Sequence, residues 1–325
     1  MNSSRVLFLG RSTLDALYRL DHLPAEDTKA YAREFRAAPG GPALNAAITH
    51  ALLGGESMLI SAVGGGPWAA PVRTEIEGHG IALLDLAAGT NYETPLTTVL
   101  VNAASGSRTI LNPPLSTVRL TTLAGSWEKS VPADWGAVPP VVLTDGFHLE
   151  ETLPLLAACK AAGAALCLDG GSWKPKTAEL APLLSVAICS ERFAVPGIEA
   201  NSESLFDWFS ARGVACIALT RGARPILGWE RGRRFEIEIA PIDAADTLGA
   251  GDVLHGAFAH FYASGDGFEP ALRRAARIAT LSCQSLGTRG WAAGANYETL
   301  LTTVLVNTTS GSRTVVNPPI STDIN

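Results

Sequence analysis

Short runs of apolar residues alternate with longer, helix-like segments along most of this chain. The apolar runs lie at 6–9, 58–63, 140–144, 164–168, 185–189 and 214–219. Helix-like segments lie near 69–78, 150–162 and 201–212, and two consecutive helices are predicted at 249–264 and 268–285. Continuous apolar strands that alternate with helices are typical of parallel βαβ units whose sheet is covered on both faces. The pattern therefore predicts an α/β fold with a mainly parallel sheet.

Residues 93–112 interrupt this alternation. Two β-branched runs, 94–101 and 107–111, are joined through Ala-Ala-Ser-Gly, which is a hairpin pattern. Residues 15–37 alternate weakly and carry many charges, as in a partly exposed sheet. We therefore expect a second, smaller sheet beside the main one.

Composition limits the kind of protein this can be. The chain has 325 residues, enough for one large α/β domain or two modest ones, and its net charge of −6 predicts no nucleic-acid binding. No apolar run reaches membrane-spanning length and no signal-peptide pattern is present, so we expect a cytoplasmic protein without a membrane partner. Five scattered cysteines without a CxxC spacing predict buried free thiols.

The segment 246–252 reads DTLGAGD and directly precedes an apolar helix-like run. Glycines let successive backbone N–H groups point at one spot, and a helix N-terminus adds unsatisfied donors, so this turn can hold a phosphoryl group. Asp252 would lie at the edge of that anion site, where a carboxylate can accept the proton of a hydroxyl that attacks phosphorus. The alternative is an ordinary Asp at a helix N-terminus.

This segment resembles the signature of the ribokinase-like (PfkB) sugar kinases, and the resemblance runs from about residue 5 to about residue 290. It implies a three-layer α/β sandwich (1–14, 38–90 and 113–290) with a small β-sheet lid (15–37 and 91–112). It also implies transfer of the γ-phosphoryl group of ATP to a sugar hydroxyl, with Mg²⁺ and with a monovalent cation left open. Asp252 would be the catalytic base, and the amides of Gly249, Ala250, Gly251 and Asp252 the anion hole.

The resemblance also implies residues that bind the sugar. Asp15 would accept hydrogen bonds from sugar hydroxyls, and Gly40, Gly41 and Asn45 match the amino-terminal glycine motif of the family. The lid would contribute Lys29, Arg108 and Asn112, and the sequence around Arg108 (105–110) resembles the lid turn of ketohexokinases, which favours a ketohexose. Each of these assignments has a structural alternative. Asp15 could be a solvated loop residue, the Gly-Gly motif with Asn45 could be a helix start with a buried Asn, and the turn at Arg108 could be an ordinary hairpin turn with a surface Arg.

On the nucleotide side, Thr220 and Gly222 follow a predicted strand as in the family, and Thr247, Gly249 and Gly251 would complete the site. The chain departs from the family at Pro225, where a glycine is expected, and in the Asn-x-x-Glu pattern linked to Mg²⁺. Glu191 is the remaining carboxylate there and would act on Mg²⁺ through water. Two further polar candidates are Asp169, which ends a strand, and His255, which either touches a ligand or is a satisfied core histidine.

The sequence 87–117 recurs at 292–322 with seven of 31 positions changed. Residues 291–325 thus form an atypical tail that duplicates the lid hairpin. Three interpretations stay open: a recombination scar, an extra hairpin that pairs with a lid edge in the same subunit or in a homodimer, or a tail that disables the nucleotide pocket. Accordingly, the functional alternatives are a catalytically impaired sugar- or nucleotide-binding protein and a nucleoside kinase.

Overall fold

The computed structural model describes residues 4–104, 107–123, 125, 127, 133–285 and 287–292. The duplicated hairpin lies outside these residues from position 293 onward, as do Ser105 and Gly106 of the lid turn. None of the helices within the described ranges is both long and apolar enough to cross a membrane.

Within these described ranges, thirteen strands form two sheets. They are β1 Arg5–Leu9, β2 Thr13–Leu20, β3 Glu34–Gly40, β4 Glu56–Ser61, β5 Ala82–Asp85, β6 Leu96–Asn102, β7 Arg108–Leu111, β8 Val141–Thr144, β9 Ala165–Gly170, β10 Val186–Ser190, β11 Cys216–Arg221, β12 Arg224–Glu230 and β13 Arg233–Ile237. The helices are α1 Pro42–Leu52, α2 Ala69–Gly78, α3 Leu149–Ala161, α4 Thr177–Leu180, α5 Ser202–Ser210, α6 Ala250–Ala263 and α7 Phe268–Ser282.

The large sheet has nine strands in the order β13-β12-β11-β10-β9-β8-β1-β4-β5. Its pairs are parallel from β11 to β5, and the two pairs at the other edge, β11–β12 and β12–β13, are antiparallel. Helices α1, α2, α6 and α7 pack on one face, and α3, α4 and α5 pack on the other. The predicted α/β sandwich with a mainly parallel sheet is therefore present.

Alternation along β1 shows why both faces are covered. Phe8 points into the core beneath α1 and α6, whereas Leu7 and Leu9 point into the core beneath α3 and α5, and all three are fully buried. A strand with apolar residues on both faces gains burial only between two layers of helices. The five cysteines are free and buried within these layers, as predicted.

The small sheet has the order β3-β2-β6-β7. Strands β2 and β6 are parallel, and the outer pairs are antiparallel. The predicted β-rich segments form this sheet, but β2 begins at Thr13 and β3 ends at Gly40. The predicted lid boundaries at 15 and 37 thus fall inside strands, and the division into a lid and an α/β domain stays a prediction.

Candidate active site

The DTLGAGD segment forms a tight turn that opens helix α6. Gly249 precedes the helix with a φ of 69°, in the left-handed region that favours glycine, and a Cβ there would meet Thr288 Cγ2 at 2.2 Å. Asp246 holds the turn, because its carboxylate accepts the N–H of Leu248 (2.8 Å) and that of Gly287 (2.9 Å). A Cβ on Gly251 would meet nothing within 4 Å, so this side of the first helical turn is open, whereas the N–H of Ala250 already donates to the carbonyl oxygen of Thr247 at 3.4 Å.

Asp252 lies in the first turn of α6 and meets Asn45 from helix α1. Asn45 Nδ2 donates a hydrogen bond of 2.7 Å to Asp252 Oδ2. The two helices come this close because Gly256 has no side chain: a Cβ there would meet the carbonyl oxygen of Ala46 at 2.3 Å. Residue Gly256, which the sequence analysis did not single out, therefore brings Asn45 to Asp252.

The electrostatics of Asp252 differ from the expectation for a free aspartate. The residue keeps part of its surface at the helix end, but its carboxyl group is enclosed, and this burial is the largest cause that raises the pKa of Asp252 to about 7. The charge of Asp169 raises the pKa further, whereas the Asn45 hydrogen bond and His255 oppose the shift. The pKa of Asp252 therefore lies well above that of a free aspartate.

His255 is a satisfied core histidine. Its Nδ1 lies 2.7 Å from the carbonyl oxygen of Gly251 and its Nε2 lies 3.1 Å from that of Ile188. Asp169 Oδ2 is 3.5 Å from His255 Nδ1, and both side chains are buried. Of the two interpretations left open from the sequence, the structure supports the structural one, with Asp169 as the partner.

A cavity of about 310 Å³ lies between the small sheet and the turn that precedes α6. Asp15 and Asn45 line it, together with Arg36 from β3 and Arg289 from the segment after α7. Burial raises the pKa of Asp15, and this shift is opposed by a 2.6 Å hydrogen bond from Thr13 Oγ1 and by the charges of Arg289 and Arg11. The cavity therefore places acceptors and donors beside Asn45, the partner of Asp252.

The two glycines of the amino-terminal motif are required by close contacts. A Cβ on Gly40 would meet Asp15 Oδ2 at 2.0 Å. Gly41 has a φ of 96°, and a Cβ there would meet the carbonyl oxygen of Arg11 at 2.4 Å. The two glycines thus allow the chain to pass from β3 into α1 while its backbone stays in close contact with Asp15.

The three lid residues predicted to bind substrate do not lie together in one site. Lys29 is exposed in the loop between β2 and β3, not on a lid strand, and does not line the cavity. Asn112 follows β7 and accepts a hydrogen bond of 3.2 Å from Thr97 Oγ1. Arg108 donates to the carbonyl and hydroxyl oxygens of Thr247, so it contacts the DTLGAGD turn.

The predicted nucleotide-side residues stand at the ends of β10 and β11. Thr220 Oγ1 donates to the Cys189 carbonyl (3.3 Å), and Gly222 turns the chain with a φ of 65°. Glu191 forms an ion pair with Arg224, beside a second cavity of about 260 Å³. Pro225 accepts, through its carbonyl, a hydrogen bond from Arg221.

The donor set argues against a protein cage for Mg²⁺. Within the described ranges no group of three or more His, Cys, Asp or Glu side chains could hold a metal ion. Glu191 is engaged by Arg224, and this competes with the predicted action on Mg²⁺ through water. A magnesium ion carried by nucleotide phosphates needs few protein ligands, so the site fits that mode of binding.

Besides Gly256, three residues of the site were missed by sequence reasoning. Asp145, at the end of β8, accepts the N–H groups of Arg11, Ala43 and Phe147. Burial nevertheless raises its pKa to about 6. Arg289 and Glu75 form an ion pair next to Asn45. Arg289 falls in the segment Gly-Thr-Arg-Gly (287–290), at the end of the stretch that resembles the family, and this was the one signal available.

Comparisons with known proteins agree with this architecture. The ribokinase of Bacillus subtilis (strain 168) is 23% identical over 302 residues, with 88% of this chain and 94% of that protein covered. The deoxyribokinase of Salmonella typhi is 24% identical over 305 residues, with 87% and 94% covered.

Solved structures show the same fold. The Arabidopsis thaliana ribokinase complexed with ribose and ATP superposes with a TM-score of 0.71 at 21% identity, covering 94% of this chain and 99% of that one. The Giardia lamblia ribokinase superposes with a TM-score of 0.75 at 16% identity, covering 93% and 99%. The family model described as pfkB family carbohydrate kinase matches residues 3–292, and the chain therefore belongs to that family.

Proposed function

We propose that this protein transfers the γ-phosphoryl group of ATP to a hydroxyl of a sugar, with Asp252 as the catalytic base. The observation that carries the proposal is the position of Asp252: its carboxyl lies in the first turn of α6, and its partner Asn45 lines the cavity. A hydroxyl bound in that cavity would lie beside Asn45, which is one hydrogen bond away from the base.

The chemistry follows from the two oxygens of Asp252. Oδ2 accepts the hydrogen bond from Asn45, and among the described residues none donates to Oδ1, which is left to accept the proton of the sugar hydroxyl. The hydroxyl oxygen forms a bond to the γ-phosphorus, the bond to the bridging β–γ oxygen breaks, and ADP leaves with that electron pair. The amides of Gly249 and Gly251 would stabilise charge on the transferred group, and so would that of Ala250 once it leaves its 3.4 Å contact with the Thr247 carbonyl oxygen. Mg²⁺ bound to the phosphates would neutralise part of the remaining charge.

The raised pKa of Asp252 suits this role. A general base is most effective when its pKa lies near the working pH, and about 7 meets that condition. Asp15, with one oxygen bound to Thr13 Oγ1, has its other oxygen available to hold a second hydroxyl.

Two observations favour different sugars. The sequence 105–110 resembles the ketohexokinase lid turn and favours a ketohexose, whereas the curated relatives named above are a ribokinase and a deoxyribokinase. A coupled ATP assay with fructose, ribose, deoxyribose, related sugars and nucleosides separates these classes. Sugar binding without phosphoryl transfer would instead favour the impaired binding protein.

Asp252→Asn tests the base. We expect kcat to fall by at least about 100-fold, because general-base assistance contributes ~10²–10⁴ in rate. The melting temperature should not fall, since Asn is neutral and keeps the contact with Asn45 Nδ2. Wild-type turnover in this variant would remove Asp252 from the mechanism.

The outer face of the small sheet supports a homodimer. Tyr18 and Phe35 are cross-strand partners with ring centroids 4.9 Å apart, and Phe35 is 58% exposed. Leu111, on the same face, is 53% exposed. Exposed apolar side chains grouped on one sheet face gain burial when a second copy covers them.

Mass in solution tests the dimer. Phe35→Glu should shift a dimer towards monomer, because a charge would then face the partner. Tyr31→Glu is the control, since Tyr31 is 96% exposed in the loop outside the sheet. The same mass for Phe35→Glu and wild type would contradict this interface.

A further inference from the structure

A chain of hydrogen bonds runs from helix α2 to the carboxyl group of Asp252. Glu75 Oε1 accepts from Arg289 Nε at 2.6 Å. Arg289 Nη1 donates to Asn45 Oδ1 at 3.1 Å, and Asn45 Nδ2 donates to Asp252 Oδ2 at 2.7 Å. Three hydrogen bonds therefore connect four side chains from α2, the segment after α7, α1 and α6.

We propose that Arg289, held by Glu75, is a positioning residue that fixes the side-chain amide of Asn45 so that its N–H always faces Asp252. The proposal rests on the proposed function for its kinetic consequence, but its structural part concerns only these four side chains.

The chemistry of the partners requires this orientation. A guanidinium has donors only, and a carboxylate has acceptors only. The side-chain amide of Asn45 can therefore form both hydrogen bonds in only one orientation, with its oxygen towards Arg289 and its nitrogen towards Asp252. After a flip, NH₂ would face the guanidinium and the carbonyl oxygen would face the carboxylate, which are two repulsive contacts.

Without Arg289 this constraint is lost. The flipped amide would then meet repulsion only at Asp252, and it could turn to donate to groups in the cavity instead. Asp252 would lose the donor that stabilises its charged form, while the opposing charges of Asp169 and Asp15 would stay. The interaction with His255, on the same helix, would be left to oppose the raised pKa of Asp252.

Arg289 also lines the cavity, and among the described residues its buried Nη2 has no hydrogen-bond partner. Its Nε is held by Glu75, which fixes the guanidinium in place before substrate arrives. His79 Nε2 lies 3.6 Å from the same Glu75 oxygen, so α2 presents the carboxylate from a defined position. If Arg289 is a positioning residue, replacing it should change kcat and the pKa of Asp252 more than the KM for sugar.

The test compares Arg289→Met, Arg289→Lys and Glu75→Gln with wild type. Arg73→Met is the matched control, because Arg73 lies on the same helix as Glu75 and forms an ion pair with Asp85, but has no contact with Asn45. Each protein is labelled with ¹³C-carboxyl aspartate and titrated by NMR, and the Asp252→Asn spectrum assigns the resonance.

We expect Arg289→Met to raise the titration midpoint of Asp252 by about 0.5–1 pH unit, since the nearby charge of Arg289 and the hydrogen bond from Asn45 to the charged form are both lost. Arg289→Lys keeps the charge and therefore isolates the contribution of the hydrogen bond. Arg289→Lys and Glu75→Gln should give smaller shifts in the same direction, and Arg73→Met none. In the kinase assay kcat should fall about 10-fold in Arg289→Met, while the sugar KM changes less than about 3-fold.

A midpoint within about 0.2 units of wild type in folded Arg289→Met would overturn the relay. If that variant does not fold, Arg289→Lys and Glu75→Gln decide in the same way. A large rise in KM with unchanged kcat and midpoint would make Arg289 a substrate ligand and also overturn it. Absence of any sugar phosphorylation in wild type would contradict the proposed function, whereas the NMR titration would still decide the relay.

Discussion

Arg108 on β7 donates two hydrogen bonds to Thr247 in the turn before α6, one to the carbonyl oxygen (2.9 Å) and one to the hydroxyl oxygen (2.8 Å). The small sheet is thus attached directly to the segment that opens the candidate anion site. Because Arg108 Nη1 serves both oxygens, one side chain sets the distance between the sheet and the turn.

Arg108→Met should lower kcat/KM about 10-fold, since small misplacements of the groups around a reacting centre are costly. Steady-state kinetics with the sugar found in the screen measures the effect. Arg212→Met is the control: Arg212 also donates to a backbone carbonyl, that of Trp208, but at the end of α5. Wild-type kcat/KM in Arg108→Met would show that the contact with Thr247 has no role in catalysis.

The pH dependence of kcat/KM should report Asp252. The base must be deprotonated to accept a proton, and its pKa in the folded protein is about 7, so activity should rise with pH and level off above that value. Rates measured from pH 5.5 to 9 in the coupled assay give the midpoint. A midpoint near 4 would mean that the enclosed carboxyl and Asp169 do not act on Asp252 as described.

The main sheet could be predicted because each of its central strands is a local apolar run. Strands β12 and β13 at the edge were not predicted, since Arg224–Glu230 and Arg233–Ile237 mix charged and apolar residues without a continuous run. Their place in the sheet depends on β11, because β12 pairs with the edge of β11. Edge strands are specified by a neighbour more than by their own composition.

The candidate site shows the same limit. The DTLGAGD and Gly-Gly motifs are local, so Asp252, Asn45 and the glycines could be found from the sequence. The contact between Arg289 and Glu75 joins residues 214 positions apart, and no spacing indicates it. The pKa of Asp252 depends on Asp169, which only the order of strands in the sheet brings near.

Gly40→Ala should weaken sugar binding. A Cβ at this position would lie 2.0 Å from Asp15 Oδ2, so the carboxylate must leave its position beside the cavity. We expect the sugar KM to rise about 10-fold or more while the ATP KM stays nearly constant, because the carboxylate that is displaced contributes charge-assisted hydrogen bonds.

Gly65→Ala is the matched control, because a Cβ there would meet nothing within 4 Å. Both variants add one methyl group to a glycine outside the regular helices and strands or at their ends. Equal sugar KM values for the two variants would contradict the placement of Asp15 in the sugar site.

The buried histidine His50 should contribute a loss of stability in mild acid. Burial lowers the pKa of His50 to about 3, and the nearby His260 adds to the shift. In the unfolded state His50 has a pKa near ~6.5 and binds a proton in mild acid, whereas in the folded state it stays neutral. The stability that His50 contributes is therefore complete above pH ~6.5 and is lost as the pH falls towards 3. Between pH 6.5 and 5 this loss amounts to about 1–2 kcal/mol.

His50→Gln isolates this contribution. Gln cannot titrate, but its side-chain N–H can still reach the carbonyl oxygen of Ser4, to which His50 Nε2 lies at 3.1 Å. Asp145 and Asp252, with raised pKa values, bind protons in the folded state and act in the opposite direction, and they are the same in both proteins. The free energy of unfolding from urea titrations at pH 7.5 and pH 5 should therefore decrease less in His50→Gln than in wild type, and equal decreases would contradict the assignment.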